Sequence, residues 1–427
     1  MSILSSLKPT IIIGGGLGGL CLAQGLKRAN LPFRVFERDD NASWRAQGYR
    51  IRVNGHGAQA LQDTLPTHLW KLFEKTCAVT VPGFTGVSAL SGQVTASSMQ
   101  GGGGPPMPGP DIGPYTVDRT TLRGLLMLDL APEEIEFGKE FTHYTLDVDD
   151  ASVGTGTSAS TTITAHFSDG SSFTGGLVVG ADGLRSRVRR EYQPDHVPID
   201  TDGRAIYGKT PLTPAFTAQF PADALRNITL ITSPTPPAVS VSIFLEPIRF
   251  PPAATASAVQ AGLPTVSDYV YWVLASRSKT FGISDKELFA LDHAQTAALS
   301  LSLTKDYAPS LRALLELQSV SNTSALRVGS FKPAIPVWGP KAYVTLLGDA
   351  VHAMSPSGGV GANTALRDAK RLCEALVAGE GRLTETAMGE YEDGMREYAR
   401  VAIEGSAHGG KRIFGQPPFE ECSALEL

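Results

Sequence analysis

The sequence predicts an α/β fold: a Rossmann-like dinucleotide-binding domain with an inserted, mostly antiparallel β-sheet and C-terminal helices. Three observations predict it. The apolar run Ile11–Ile13 leads through Gly14-x-Gly16-x-x-Gly19 into an apolar helical pattern. Two later segments, Gly180-Ala181-Asp182-Gly183 and Gly348-Asp349 running on to Ala362, each follow another apolar strand pattern, so the chain has to return twice to one nucleotide. Between these returns, from about residue 200 to 280, strand patterns dominate and are separated by Pro-rich loops.

The first segment explains itself physically. Ile11–Ile13 is apolar and β-branched, as a parallel strand buried on both faces requires. Gly14 permits a sharp turn, Gly16 lets backbone N–H groups approach a pyrophosphate, and Gly19 allows close helix–strand packing. The following helix (Leu20, Leu22, Ala23, Leu26) would point its N-terminus and free N–H groups at the phosphates. A second strand, Phe33–Phe36, ends at Glu37, followed by Arg38. Glu37 lies about 20 residues beyond the glycines, where a carboxylate hydrogen-bonds a ribose diol.

The remaining elements follow in order. A helix is expected over Ala58–Phe73. Ser97–Pro110, with four consecutive glycines at 101–104, reads as a loop. Tyr115–Arg119 leads into a helix over Thr120–Leu130, with Asp118 or Thr120 as cap. Residues 135–179 read as strands, with Ile163–Phe167 and Phe173–Val179 flanking the hairpin signal Ser168-Asp169-Gly170. Ala151–Ser160 is a low-complexity linker. Strands are expected at Arg204–Lys209, Ile228–Thr232, Val239–Leu245 and Tyr269–Leu274, then helices at Asp285–Leu303 and Leu311–Leu317. Tyr343–Leu347 reads as a strand, and Ala362–Ala378 and Glu385–Glu404 as helices. This divides the chain into a dinucleotide domain in three parts (1–80, 111–200, 321–380), a loop and sheet contribution (81–110), an inserted sheet (201–320) and a C-terminal helical region (381–427).

Hydrophobic content of 42% and charged content of 19% over 427 residues suit a globular protein with ample core. The net charge of −5 argues against nucleic acid or an anionic membrane as partner. The four cysteines (Cys21, Cys77, Cys373, Cys422) form no Cys-x-x-Cys pair and the eight histidines show no ligand spacing, so neither a disulfide framework nor a metal site is expected. Neither a signal peptide nor an apolar run of membrane-spanning length is apparent, and a cytoplasmic location is expected.

Taken together, the glycine fingerprint with Glu37, the segment Gly180–Ser186, and Gly348-Asp349-Ala350-Val351-His352-Ala353-Met354-Ser355-Pro356 running on through Gly358–Ala365 resemble the class A flavoprotein monooxygenases, the para-hydroxybenzoate hydroxylase-like family. The resemblance covers nearly the whole chain. Gly48–Arg52 and Ala407–Arg412 look most like fungal members acting on specialised metabolites. It implies a glutathione-reductase-type FAD-binding domain, with the inserted sheet as substrate domain.

The resemblance also implies roles. Glu37 would bind the adenosine ribose; Gly48, Tyr49 and Arg50 would line the flavin; Arg119 would reach the ribityl–pyrophosphate region. Asp182 would support the pyrophosphate side, Asp349 would hold ribityl hydroxyls, and Pro356 would shape the wall over the ring. Gly361 and Ala362 would open a helix facing the flavin pyrimidine edge, where N–H groups and a dipole oppose the charge of reduced flavin. His352 reads as a packed turn residue. The implied cycle is hydride transfer from NADPH or NADH to non-covalent FAD, O2 addition at flavin C4a, and oxygen transfer to a small aromatic or polyketide- or alkaloid-type substrate by hydroxylation or epoxidation. Tyr207 and Lys209 are candidates to assist substrate deprotonation, Arg50 is a second catalytic candidate as a cation near flavin or an anionic substrate, and Tyr271 and Trp272 are candidate pocket residues. A flavin oxidase, cyclase or Baeyer–Villiger-type enzyme on the same fold, and a non-catalytic flavin-binding protein, are the alternatives. The four tryptophans form no Trp-x-Trp-x-Ile motif, which argues against a halogenase. A monomer or weak homodimer is expected.

Overall fold

The computed structural model describes residues 7–41, 49–99, 109–148, 161–234 and 240–425. Gly48, the glycine run at 101–104 and the linker 151–160 lie outside these residues.

A five-stranded parallel sheet forms the centre of the dinucleotide domain. Its strand order is Val344–Leu346, Leu177–Gly180, Thr10–Ile13, Phe33–Phe36, Ile135–Glu136. The first strand of the chain is therefore central, with Ile12 opposite Val179 on one side and Val35 on the other. Alternation splits its side chains between two cores. Ile12 packs with the helices Leu17–Arg28 and Gly361–Ala378, while Ile11 and Ile13 pack with a three-stranded antiparallel sheet and the helix Glu385–Ile413. Both faces being covered is why this strand is continuously apolar.

The three-stranded sheet (Phe141–Val148, Thr161–Phe167, Ser172–Gly175) corrects one expectation. The run 173–179 is two strands in two sheets. It breaks at Gly175-Gly176, where a side chain on Gly175 would come within 2.4 Å of the Pro9 carbonyl oxygen. Leu177–Gly180 then enters the parallel sheet instead of continuing the hairpin.

The inserted sheet has seven strands in the order Ser324–Ser330, Ile199–Pro211, Tyr269–Arg277, Ser242–Ile248, Ile228–Thr232, Phe84–Ser88, Val94–Ser98. All pairings are antiparallel except Ile228–Thr232 with Phe84–Ser88. Period-two alternation again makes two faces. Ile206, Val270, Trp272 and Leu274 pack outward under the helices that follow the sheet. Tyr207, Tyr269, Tyr271 and Val273 face the other way, with Tyr49, Ala78 and Phe414 packed on them from outside the sheet. Trp272, a candidate pocket residue, is thus on the far face, where its Nε1 donates to Thr210 Oγ1 at 3.1 Å. Its placement is fixed by Gly208, since a side chain there would overlap the indole at 2.1 Å.

Several helix expectations change at local breaks. The stretch expected over Ala58–Phe73 is two helices, Gly55–Thr64 and Thr67–Thr76, because Leu65 precedes Pro66 and is held extended (ψ 144°). Asp285–Leu303 is also two, Asp285–Leu288 and His293–Leu303, each opened by a capping box (Ser284 with Glu287, Asp292 with Gln295). Pro252–Gln260, expected as loop, is a helix with proline at its first position, where a missing N–H costs nothing. No helix among the described residues is long and apolar enough to cross a membrane.

Candidate active site

The site forms at the C-terminal edge of the parallel sheet, where an open α/β sheet offers a crevice. Gly14 has φ +114°, and a Cβ there would come within 2.4 Å of the Ala181 carbonyl oxygen, so the first and second returns of the chain touch at this residue. Gly19 packs so close that a Cβ would meet the Gly14 carbonyl at 2.2 Å. Gly16, by contrast, faces open space, with nothing within 4 Å of where its Cβ would be. It precedes Leu17–Arg28, whose N-terminus has no side-chain cap and no acid in its first turn. An anion reaching this helix end would meet N–H donors, not a competing carboxylate.

Glu37 is buried at the end of the second strand. One carboxylate oxygen accepts the Gly15 N–H at 2.8 Å and the other the Asp39 N–H at 3.0 Å. It therefore braces the glycine loop. Arg38 is exposed beside it. A residue not anticipated from sequence, Arg123, closes this end: its Nε donates to the Gly15 carbonyl at 2.9 Å and its guanidinium lies 3.9 Å from Glu37. It stands four residues after Arg119 on the helix Arg119–Met127, so one helix face carries both arginines.

The later returns supply carboxylates. Asp182 accepts the Arg187 N–H at 2.8 Å at the start of the helix Arg187–Tyr192, while its other oxygen is buried without a hydrogen-bond partner. Burial pushes this carboxyl above its ordinary range, against the hydrogen bonds from Ser186 and Arg187. Gly348, at φ +62°, turns the chain so that Asp349 stands exposed in the crevice. Crowding by protein raises the Asp349 carboxyl, while the charges of His352 and Arg119 oppose the rise. Burial lowers Arg119 and the Asp349 carboxylate opposes that, while its backbone N–H donates to the Tyr49 carbonyl at 2.8 Å.

His352 is packed, as expected. Its Nε2 lies 2.6 Å from Asp368, which also accepts the Gly348 N–H at 2.8 Å and the Tyr398 hydroxyl at 2.7 Å. Burial works against its charged form, but the Asp368 carboxylate wins and its pKa is raised. Pro356 is exposed in a short turn before Gly361–Ala378. That helix starts at Gly361 and Ala362 with neither a side-chain cap nor an acid in its first turn, a second open N-terminus on the crevice. Asn363 ties it down, accepting the Asn54 N–H at 3.0 Å and donating to the Arg52 carbonyl at 2.9 Å.

The inserted sheet presents an aromatic wall. The rings of Tyr49 and Tyr207 stand 4.6 Å apart, Tyr49 and Tyr271 5.8 Å, and Tyr207 and Tyr271 6.1 Å. Burial raises all three phenols, with Arg50 opposing the rise at Tyr207 and Tyr271. They are neutral donors at physiological pH. Lys209 is also spoken for: its ammonium is paired with buried Asp118 at 2.8 Å, and the Tyr269 hydroxyl donates to the same carboxylate at 2.9 Å. Arg50 is not free-standing either, since its Nε lies 2.5 Å from Glu246 on the Ser242–Ile248 strand.

Residues 341–406 match the FAD binding domain family and residues 12–76 the NAD(P)-binding Rossmann-like domain family. A dual O-methyltransferase/FAD-dependent monooxygenase of Cercospora beticola is 42% identical over 97% of this chain and 47% of its own length; one of Phaeosphaeria nodorum is 38% identical over 98% and 47%. The chain thus spans about half the length of these curated relatives. An FAD-dependent monooxygenase of Penicillium herquei is 26% identical over 97% of this chain and 93% of its own. Among solved structures, an inferred FAD-containing monooxygenase of Photorhabdus luminescens superposes with a TM-score of 0.75 at 28% identity, covering 95% of this chain and 98% of that one. A salicylate hydroxylase complex shares the fold (TM-score 0.67, 19% identity, 98% and 91% covered). Its motifs, its architecture and these likenesses support a class A-like FAD-dependent monooxygenase.

Proposed function

We propose that this chain uses NADPH or NADH and O2 to hydroxylate or epoxidise a small aromatic or polyketide- or alkaloid-type substrate, with FAD held non-covalently. The observation that carries this reading is the set of groups gathered where the chain returns to the glycine loop: Glu37 and Arg123 on Gly15, Ala181 and Asp182 against Gly14, and Arg119, whose N–H donates to the carbonyl of Tyr49, itself packed with Tyr207 and Tyr271.

The donor set fits an extended, doubly anionic dinucleotide. Open space at Gly16 and the uncapped helix end suit a pyrophosphate, and Arg119 offers it a planar fork. Glu37 and Asp349 would accept ribose and ribityl hydroxyls, the partnerless oxygen of Asp182 would accept a further donor, and the N–H groups opening at Gly361 and Ala362 would face the pyrimidine edge. Bound FAD would supply the redox chemistry, taking a hydride and activating O2. The protein's part is to place the substrate, exclude water and hold protons. The Tyr207 hydroxyl has no hydrogen-bond partner among the described residues, so it is available as a donor to substrate oxygen. Relatives that join this region to an O-methyltransferase support a substrate bearing hydroxyl groups, because O-methyl transfer needs one. The free cysteines support a reducing, cytoplasmic setting, and a monomer or weak homodimer is our working state.

The test is anaerobic addition of NADPH to the FAD-loaded protein while following the oxidised-flavin band near about 450 nm. Bleaching, followed by oxygen-18 from O2 in the product on aeration, is the expected result. A yellow protein that no nicotinamide reduces, with or without substrate, would favour an oxidase. A colourless protein that cannot be reconstituted with FAD would remove the reading altogether.

A further inference from the structure

The segment Ala407–Arg412 stands out in the sequence, yet the site described so far makes no use of it. It forms the last turns of the helix Glu385–Ile413. That helix packs on the parallel sheet through Met395, Ala399, Ala402 and Ile403. One turn further on, Ser406, Gly409 and Gly410 continue the same side, three and four residues apart. Glycine disfavours a helix interior, so two in a row near its end have another reason.

The reason is the short turn Pro356–Gly358, which leads through Gly359 and Val360 into the helix opening at Gly361. Turn and helix end interlock. A side chain on Gly358 would come within 2.6 Å of Ser406 Oγ and 3.2 Å of its Cα. Reciprocally, a side chain on Gly409 would come within 3.0 Å of Ser357 Oγ and 3.2 Å of its Cβ. Gly410 likewise leaves room for Ser355 Oγ, 3.1 Å from where its Cβ would be. The Ser357 hydroxyl donates to the Ser406 carbonyl at 2.8 Å and lies 2.9 Å from Ser355 Oγ, so polar contacts fix the register of the two surfaces. Ser355 and Ser406 are buried in this seam. Gly405, by contrast, has nothing within 4 Å of where its Cβ would be, so glycine is demanded only on the side that meets the turn.

We propose that the end of the C-terminal helix is a seat for this turn, and that Ser357, Ser406 and Gly409 are positioning residues for the flavin. They set where the open helix end at Gly361 and Ala362 stands. The N–H groups and dipole of a helix act on a nearby charge only within its first turn, so a shift of a few tenths of an ångström at the seat changes what they contribute. Two properties should then move together: the affinity for FAD and the stability of the reduced, negatively charged flavin. The proposal rests on the functional reading above and gives it a second layer of residues behind the site.

The test is a double-mutant cycle, read by FAD titration and by the midpoint potential of the bound flavin. Gly409→Ala forces the turn outward and should weaken FAD binding by about ten-fold, the scale of an overpacked contact, and make the potential more negative. Ser357→Gly alone removes a hydrogen bond and should weaken binding by about three-fold. In the Gly409→Ala background the same change clears the overlap and should recover both affinity and potential. Gly405→Ala should alter neither. If Gly409→Ala does not fold, Ser357→Ala carries the test, because it adds no bulk and should move both readouts in the same directions. Unchanged readouts in Gly409→Ala, an equal effect from Gly405→Ala, or losses that Ser357→Gly deepens in the Gly409→Ala background overturn the proposal. So does a fall in the thermal midpoint of the FAD-free protein with no shift in potential, which would make the seam merely structural. Wild-type protein that takes up no FAD would instead remove the functional reading on which the proposal rests.

Discussion

Tyr207 is the residue whose chemistry depends most on where it sits. Its phenol is buried, its pKa is raised by that burial, and only the Arg50 charge opposes the rise. A phenol so placed donates a hydrogen bond and does not accept a proton at neutral pH. Because its hydroxyl binds no described residue, Tyr207→Phe removes no internal hydrogen bond and should leave FAD content and thermal midpoint unchanged. Turnover with an accepted substrate should fall by about ten-fold or more, the cost of one lost donor to a developing charge. Steady-state rates beside flavin-to-protein ratios decide it; unchanged turnover would reduce Tyr207 to packing. Arg123 makes the complementary point. Its contact with Gly15 and its approach to Glu37 arise only once the helix Arg119–Met127 is laid across the glycine loop, although its spacing from Arg119 was a readable signal.

At the scale of elements, Asp118 is the hinge pin between the two halves of the crevice. It ends the strand Tyr115–Asp118 and caps the helix carrying Arg119, accepting the Thr120 N–H at 2.9 Å. Its other oxygen takes Lys209 and Tyr269 from two strands of the inserted sheet. One fully buried carboxylate therefore sets the helix, the arginine and the sheet against each other. Removing a partner from a buried pair strands the other charge, at a cost of about 3–5 kcal/mol. Asp118→Ala should lose that much in urea unfolding, and Asp118→Asn less, since an amide keeps an acceptor for Thr120. The alanine variant should also bind FAD more weakly, because Arg119 loses its cap. A loss under about 1 kcal/mol, the level of a surface pair, would show that the junction is held by apolar packing alone.

At the scale of the whole molecule, what the sequence made legible is what local chemistry dictates. The glycine loop, Glu37, the strand Ile228–Thr232 and the start of the helix at Glu385 needed only their own residues. What it did not reveal depends on distant partners. Phe173–Val179 splits because Gly175 meets Pro9. Lys209 and Arg50 are paired with Asp118 and Glu246, which are 91 and 196 residues away by number and could not be paired from the sequence. The same long-range logic governs His352. Its ion pair with Asp368 also binds Gly348 and Tyr398, joining the Asp349 turn to both C-terminal helices. Burial alone would lower the His352 pKa, yet Asp368 raises it, so the folded value exceeds the unfolded one of about 6.5. A raised histidine contributes stability that is fully present below the unfolded value and is lost as pH rises through the folded value. His196 has the opposite sign. Burial pushes it down to about 4, so its penalty is confined to acid and is gone by about pH 6.5. The stability margin of the wild type over His352→Gln should be largest below about pH 6.5 and shrink as pH rises above it, read as urea midpoints of the two proteins on either side of that value. A margin that stays constant or grows with pH would mean that His352 is neutral in the fold, with Asp368 held by Gly348 and Tyr398 alone.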